Sequence, residues 1–168
     1  MTTESTGTSW ELKGIERLQR QWGDKAITDA LVEAAKVAGA HTAGEVATVT
    51  PVNKNPTPGE TRGRLAAGWN SRARRVGSGA EATIGNNVFY GPYVNYGTGI
   101  YAGRGRIRAK QGKVMVFKGM GGGMIFARSI KGQRGQHFAE KGLDNASKDV
   151  PRIVVKRIEH ELDRQGSS

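Results

Sequence analysis

Three histidines, His41, His137 and His160, are the candidate acid–base and metal-binding side chains of this chain, and it contains no cysteine. The missing thiol excludes disulfides, thiolate metal sites and cysteine nucleophiles. The histidines are scattered, and no two stand at metal-ligand spacing. Between residues 61 and 142 the acidic side chains are Glu81 and Glu140 alone, so that stretch lacks the close carboxylate pair of hydrolases and two-metal nucleases. His160 is flanked by Glu159 and Glu161 on a helical pattern whose adjacent positions point different ways, and all three are expected to face solvent. Gly103-Arg104-Gly105 and the glycine triplet at 121–123 lack the lysine and threonine of a phosphate-binding loop. The expectation is no catalytic residue, no metal, no cofactor, and no enzyme.

What remains is charge and aromatic side chains. The formal charge is +11, and its placement is uneven. Residues 1–60 carry six basic and eight acidic side chains, residues 61–142 fifteen and two, and residues 143–168 five of each. The excess therefore lies in the middle, which implies an acidic partner surface or a polyanion, or else solvated loops. Arg104, Arg106, Arg108, Lys110 and Lys113 alternate within the glycine-rich stretch 97–113, expected as a flexible basic loop. They are candidate docking residues for an acidic neighbour, with packaged DNA ranked second. Base reading is not expected, since no recognition helix, zinc spacing or stacking platform accompanies the charge. Phe89, Tyr90, Tyr93 and Tyr96 crowd a short segment with bends expected at Gly91-Pro92 and Gly97. They either plug the joint between helix and sheet or face a neighbouring subunit, and both can hold.

The elements that must position these residues follow from periodicity. At 36% hydrophobic and 24% charged residues, the chain is compositionally a folded one. Its length fits one domain over 9–165, with frayed residues 1–8 and a tail at 166–168. No apolar run is long enough to span a membrane. Ser9 can cap a helix to about Gln21, with Leu12, Ile15 and Leu18 on one stripe between Trp10 and Trp22. Gly23-Asp24 breaks the pattern, and Asp24 can cap a longer alanine-rich helix through Ile27, Leu31, Ala34, Ala35 and Ala38. Gly39 and Gly44 weaken that helix, and Pro51 ends it. Residues 51–63 are an expected loop, and Leu65–Arg75 an expected strand entered through a short turn. Gly77-Ser78-Gly79 turns it into a second strand at Glu81–Gly85. Val114, Val116 and Phe117 mark another strand, with 124–127 returning. A last helical region begins near Gln136, is interrupted or restarted at Pro151, and carries Ile153, Val154, Arg157, Ile158 and Leu162 on one face. The class is α+β: a small antiparallel sheet packed against N-terminal helices and a C-terminal helix.

Three stretches in this order carry a resemblance. A long alanine-rich helix ends in Pro51 and leads to Thr61-Arg62-Gly63-Arg64-Leu65. Then come Phe89-Tyr90-Gly91-Pro92-Tyr93-Val94-Asn95-Tyr96-Gly97-Thr98 and His137-Phe138-Ala139-Glu140-Lys141-Gly142-Leu143-Asp144-Asn145-Ala146. Together they resemble the tail-completion and head–tail joining proteins of long-tailed, siphovirus-like bacteriophages, of the minor tail protein Z type. There are departures: Arg62 separates threonine from glycine, residues 53–60 are inserted, Gly91 stands for an alanine, and Asn95 replaces the usual acid.

The resemblance implies a structural virion protein of the neck, made in the bacterial host cytoplasm. It would complete the head-proximal end of the tail as a ring, sixfold, around the DNA channel. The expected ring interface is Phe89, Tyr90, Tyr93 and Tyr96 with the sheet edge at Val114, Val116 and Phe117, including 124–127. The loop 101–113 would reach neighbouring tail-terminator, tail-tube or head-connector proteins, with non-specific DNA contact as a further role and no membrane. The alternatives are the tail-terminator ring itself and, from another class, a basic nucleic-acid-binding phage protein.

Overall fold

The computed structural model describes residues 15–53, 61–119 and 122–166. The expected frayed start, the Ser9 cap, the Leu12–Ile15–Leu18 stripe with Trp10, most of the 51–63 loop, part of the glycine triplet and the last two residues lie outside what it describes.

In chain order the elements are α1 (Ile15–Trp22), α2 (Asp24–Val49), α3 (Arg64–Ala67), β1 (Trp69–Val76), β2 (Gly79–Asn86) and α4 (Gly91–Tyr96). A 3-10 turn (Gly99–Ala102) precedes β3 (Ile107–Arg108), β4 (Met115–Lys118), β5 (Met124–Ala127), β6 (Ser129–Ile130), α5 (Phe138–Ser147) and α6 (Val150–Gly166). The α+β class holds. Its strands form three separate two-stranded ladders, β1–β2, β3–β6 and β4–β5, where one sheet was expected. The β3–β6 and β4–β5 ladders are built of strands of only two to four residues, whereas β1 and β2 run for eight.

The chain divides into two compact units. The first comprises Met1–Glu45, Asn70–Gly85 and Leu143–Ser168. Its core sets Ile27, Ala30, Leu31 and Ala34 of α2 against Ile158 and Leu162 of α6, with Ala38, Ala146 and Val150 continuing the seam. Each fully buried isoleucine, leucine or valine among them is worth about 1.5–3 kcal/mol, an alanine less. Gly39 was expected to weaken α2, yet the helix runs unbroken through it. The β1–β2 hairpin crosses there, so a Cβ would lie 3.1 Å from the Ala82 Cβ and 3.2 Å from that of Ser71. β1 begins at Trp69, and residues 64–67, expected as strand, form the helical turn α3 instead. From Trp69 to Arg74 the side chains alternate half-buried and exposed, the period of a strand with one covered face. Pro151 falls in the first turn of α6, where its missing N–H costs nothing.

The second unit comprises Val46–Trp69 and Asn86–Gly142. The indole N–H of Trp69 donates to the Thr50 hydroxyl at 2.9 Å, and its ring meets buried Phe138 edge-on at 6.3 Å. Asn86 donates to the carbonyl of Leu65 at 2.7 Å and accepts the amide of Val88 at 2.9 Å. The stretch 97–113, expected as an unpaired loop, is paired along much of its length. Thr98 and Ile100 donate their amides to Gln133 and Lys131 at 2.8 and 2.9 Å, Gly97 bridges Arg134, and β3 pairs antiparallel with β6 as Ile107↔Ile130 and Arg108↔Ser129. Gly99 makes this approach possible: its φ is 62°, and a Cβ there would collide with the Lys131 carbonyl.

Candidate functional site

All the residues marked as candidate interaction positions lie in the second unit. The aromatic segment, expected only to bend at its two ends, is helical over Gly91–Tyr96. Pro92 opens α4, and in a helix the three-residue spacing of Tyr93 and Tyr96 puts them on one face, the reverse of what a strand would do. Both are 52% exposed, and Phe89, stacked edge-on against half-buried Tyr90 at 5.5 Å, is 78% exposed. Phe89, Tyr93 and Tyr96 are thus open to solvent, while Tyr90 is half-buried and Trp69 packs against buried Phe138.

The opposite side of α4 holds the helix in place. Asn95 is buried, and its amide donates to both oxygens of the Glu140 carboxylate at 2.9 and 3.1 Å. Its side-chain oxygen accepts the Ala139 amide at 3.0 Å, satisfying one of the free N–H groups at the start of α5. His137, at φ 50°, turns the chain into α5 and donates its amide to the Asn95 carbonyl at 3.0 Å. The sequence marks Asn95 as a departure from the related pattern and Glu140 as one of two acids in the middle of the chain, but not their pairing. The signal was the amide standing where the related pattern has an acid.

The β4–β5 hairpin pairs Met115↔Ala127, Val116↔Phe126, Phe117↔Ile125 and Lys118↔Met124. Val114 lies just outside it. Val114, Val116 and Phe117 are exposed, and so are Met124, Ile125 and Phe126, the last at 69%. The apolar surface thus covers both strands, and its returning half carries the largest exposed ring.

The five expected docking cations are all exposed, but they divide by role. Arg106 is anchored, donating to the Ser129 hydroxyl at 2.8 Å and to its carbonyl at 3.3 Å. Arg108 and Lys113 line one shallow pocket together with Arg128 and Ser129. Arg104 and Lys110 do not line it. Arg134, outside the expected set, lies over the Tyr101 ring at 5.4 Å.

No group of three histidine, aspartate or glutamate side chains converges as a metal site among the described residues. The expectation for Glu161 is corrected. It is buried, with one oxygen 2.6 Å from Arg157 and the other 2.9 Å from Arg164, whereas Glu159 and His160 are exposed. Asp29 and Glu33 line the cleft beside this triad. Lys25 holds the Asp29 carboxyl below its ordinary value, chiefly by a hydrogen bond, and Lys36 does the same for Glu33. Anions and cations are interspersed there, as in a structural ionic network.

Comparison with protein families places this geometry. Residues 12–97 match the HK97-gp10-like family, described as "Bacteriophage HK97-gp10, putative tail-component". The chain belongs to this family. It is a family of phage tail components and not of enzymes, and membership implies a place in the virion. The matched residues of this tail component run from α1 to the end of α4, including the tyrosine face; the hairpin β4–β5 and the basic pocket lie beyond them. No curated protein and no solved structure matches the chain. No helix among the described residues is long and apolar enough to cross a membrane.

Proposed function

We propose that this tail component completes the head-proximal end of the tail, forming a sixfold ring around the DNA channel at the head–tail joint. The observation that carries the reading is the β4–β5 hairpin. A two-stranded ladder with Val116 and Phe126 paired and exposed, and with its strand edges open, is an incomplete structure that a partner strand or an apolar face would complete. Ring closure needs a heterologous interface, one patch of each subunit meeting a different patch of the next. The hairpin and the tyrosine face of α4 are two such unlike patches on separate elements of one unit. Tyrosines three apart on a helix give a rigid amphipathic surface suited to an interface core.

The test is negative-stain imaging with mass photometry of the purified protein, alone and after mixing with tails that lack it. Rings at the tail end with restored head attachment are the expected result. A persistent monomer that leaves such tails unable to join heads would remove the neck assignment while leaving family membership untouched.

A further inference from the structure

We infer that the pocket lined by the end of β3, the segment 109–113 and Arg128-Ser129 is a seat for the phosphodiester backbone of duplex DNA, with Arg108, Lys113 and Arg128 as its contact residues. The register builds it. β5 and β6 are separated by one residue, Arg128, so that side chain stands where the two ladders meet. Arg108 is the β3 residue paired with Ser129, and Lys113 precedes the run into β4, whose first residue pairs with Ala127. Arg108 and Lys113, five residues apart, thereby converge with the more distant Arg128 on a concavity of about 400 Å³, with Gly112 and Ala109 completing its wall. Arg106, held on Ser129, adds a fourth cation at the rim.

The electrostatics favour a polyanion over an acidic protein. Between Glu81 and Glu140 the chain has nine lysines and arginines and no acidic residue. Glu140, the acid closest in sequence, is occupied by the Asn95 amide. Protein interfaces centre on buried apolar or aromatic anchors and set register with charges of both signs. This pocket has no large apolar side chain and one sign of charge, while the apolar surface of the same unit lies elsewhere, on the hairpin strands. A single-signed rim without an anchor suits a uniform line of phosphates read without sequence preference. The inference is independent of ring formation, because the pocket lies within one copy.

The test uses the full chain and a short fluorescein-labelled duplex, with binding followed by anisotropy from about 50 to 200 mM salt. A variant carrying R108Q, K113Q and R128Q is compared with R17Q, R20Q and K156Q, which removes the same charge from exposed positions of the first unit. The pocket variant is expected to lose more than about tenfold in affinity and about 2 to 3 from the salt slope, and the control much less. Equal losses in both would mean that net charge alone binds DNA and would overturn the site. Tighter binding of polyglutamate than of duplex, through the same three residues, would overturn it in favour of an acidic protein. Acetylation footprinting of the wild-type chain needs no variant: duplex should protect Lys113 and leave Lys156 reactive, and an unprotected Lys113 would refute the proposal.

Discussion

The buried amide of Asn95 lies between the two oxygens of Glu140, which fastens the helix bearing Tyr93 and Tyr96 to the first turn of the helix that follows His137. Asparagine can do this because it both donates and accepts; a carboxylate at the same position can only accept. The Asn95→Asp variant would set two carboxylates face to face and lose both donated bonds, at a cost of about 1–3 kcal/mol near neutral pH. Sharing one proton raises the folded pKa of that pair above its unfolded value. The deficit should therefore shrink below the unfolded carboxylate pKa and widen as pH rises through the folded one. Urea denaturation of variant and wild type at about pH 4 and pH 7 checks this; a gap independent of pH would mean the pairing is unimportant.

Two glycines of α2 should respond in opposite directions. At Gly44 an added Cβ meets nothing within 4 Å, so Gly44→Ala is expected to stabilise by about 1 kcal/mol through helix propensity. At Gly39 the crossing hairpin crowds even an added Cβ, which would lie 3.1 Å from that of Ala82, and Gly39→Leu is expected to destabilise by about 2–3 kcal/mol or more. Thermal melts of both variants give the two signs directly.

Removal of the buried carboxylate in Glu161→Ala leaves the guanidinium groups of Arg157 and Arg164 without the anion between them. Arg164 is largely exposed, so water takes up part of its loss, and a cost of about 2 kcal/mol is expected in denaturant titration. Glu159→Ala, one position away and exposed, should change stability by less than about 0.5 kcal/mol.

The lowered carboxyl of Glu33 depends first on the Lys36 hydrogen bond. Lys36→Met should bring its titration midpoint up toward the ordinary glutamate range, as followed by NMR of the side-chain carboxyl. Because the folded pKa is depressed, the pair's contribution is present above the unfolded pKa and lost as pH falls through the folded one. Glu33 is half-buried and Lys36 exposed, so that contribution is modest and sensitive to salt.

Replacement of the exposed ring in Phe126→Asp should leave the melting temperature within a few degrees of wild type, because the side chain packs against little. The same variant should abolish any self-association seen by mass photometry. If association persists unchanged, the hairpin is not the contact.

Much of the scaffold was legible in the sequence, and the reasons are local. Pro51, the Gly77-Ser78-Gly79 turn and the alternation from Trp69 to Arg74 mark α2, the first hairpin and its covered face. The apolar stripe through Ile158 and Leu162 likewise marks the face of α6 that meets α2. What was not legible depends on partners distant in the chain. The stretch 97–113 looks unstructured on composition, and only the amide acceptors at Lys131 and Gln133 and the β6 strand order it. Tyr93 and Tyr96 share a face only because the segment between Gly91 and Tyr96 is a helix. Glu161 looks like surface until Arg157 and Arg164 close on it. The exposure of Met124, Ile125 and Phe126 could not be foreseen from their types, which are those of a core strand.

The stitching of Gly97–Arg108 onto 129–134 bears on how any anion would be received there. A disordered arm must be frozen when it binds, at about 1–2 kcal/mol of lost backbone entropy per residue. Here that loss has already been taken during folding, and Arg106 is held by its bonds to Ser129. Association at this edge should accordingly show little change in backbone hydrogen exchange over 97–108 and a small entropic penalty in calorimetry, the signature of a preorganised receptor rather than of folding upon binding.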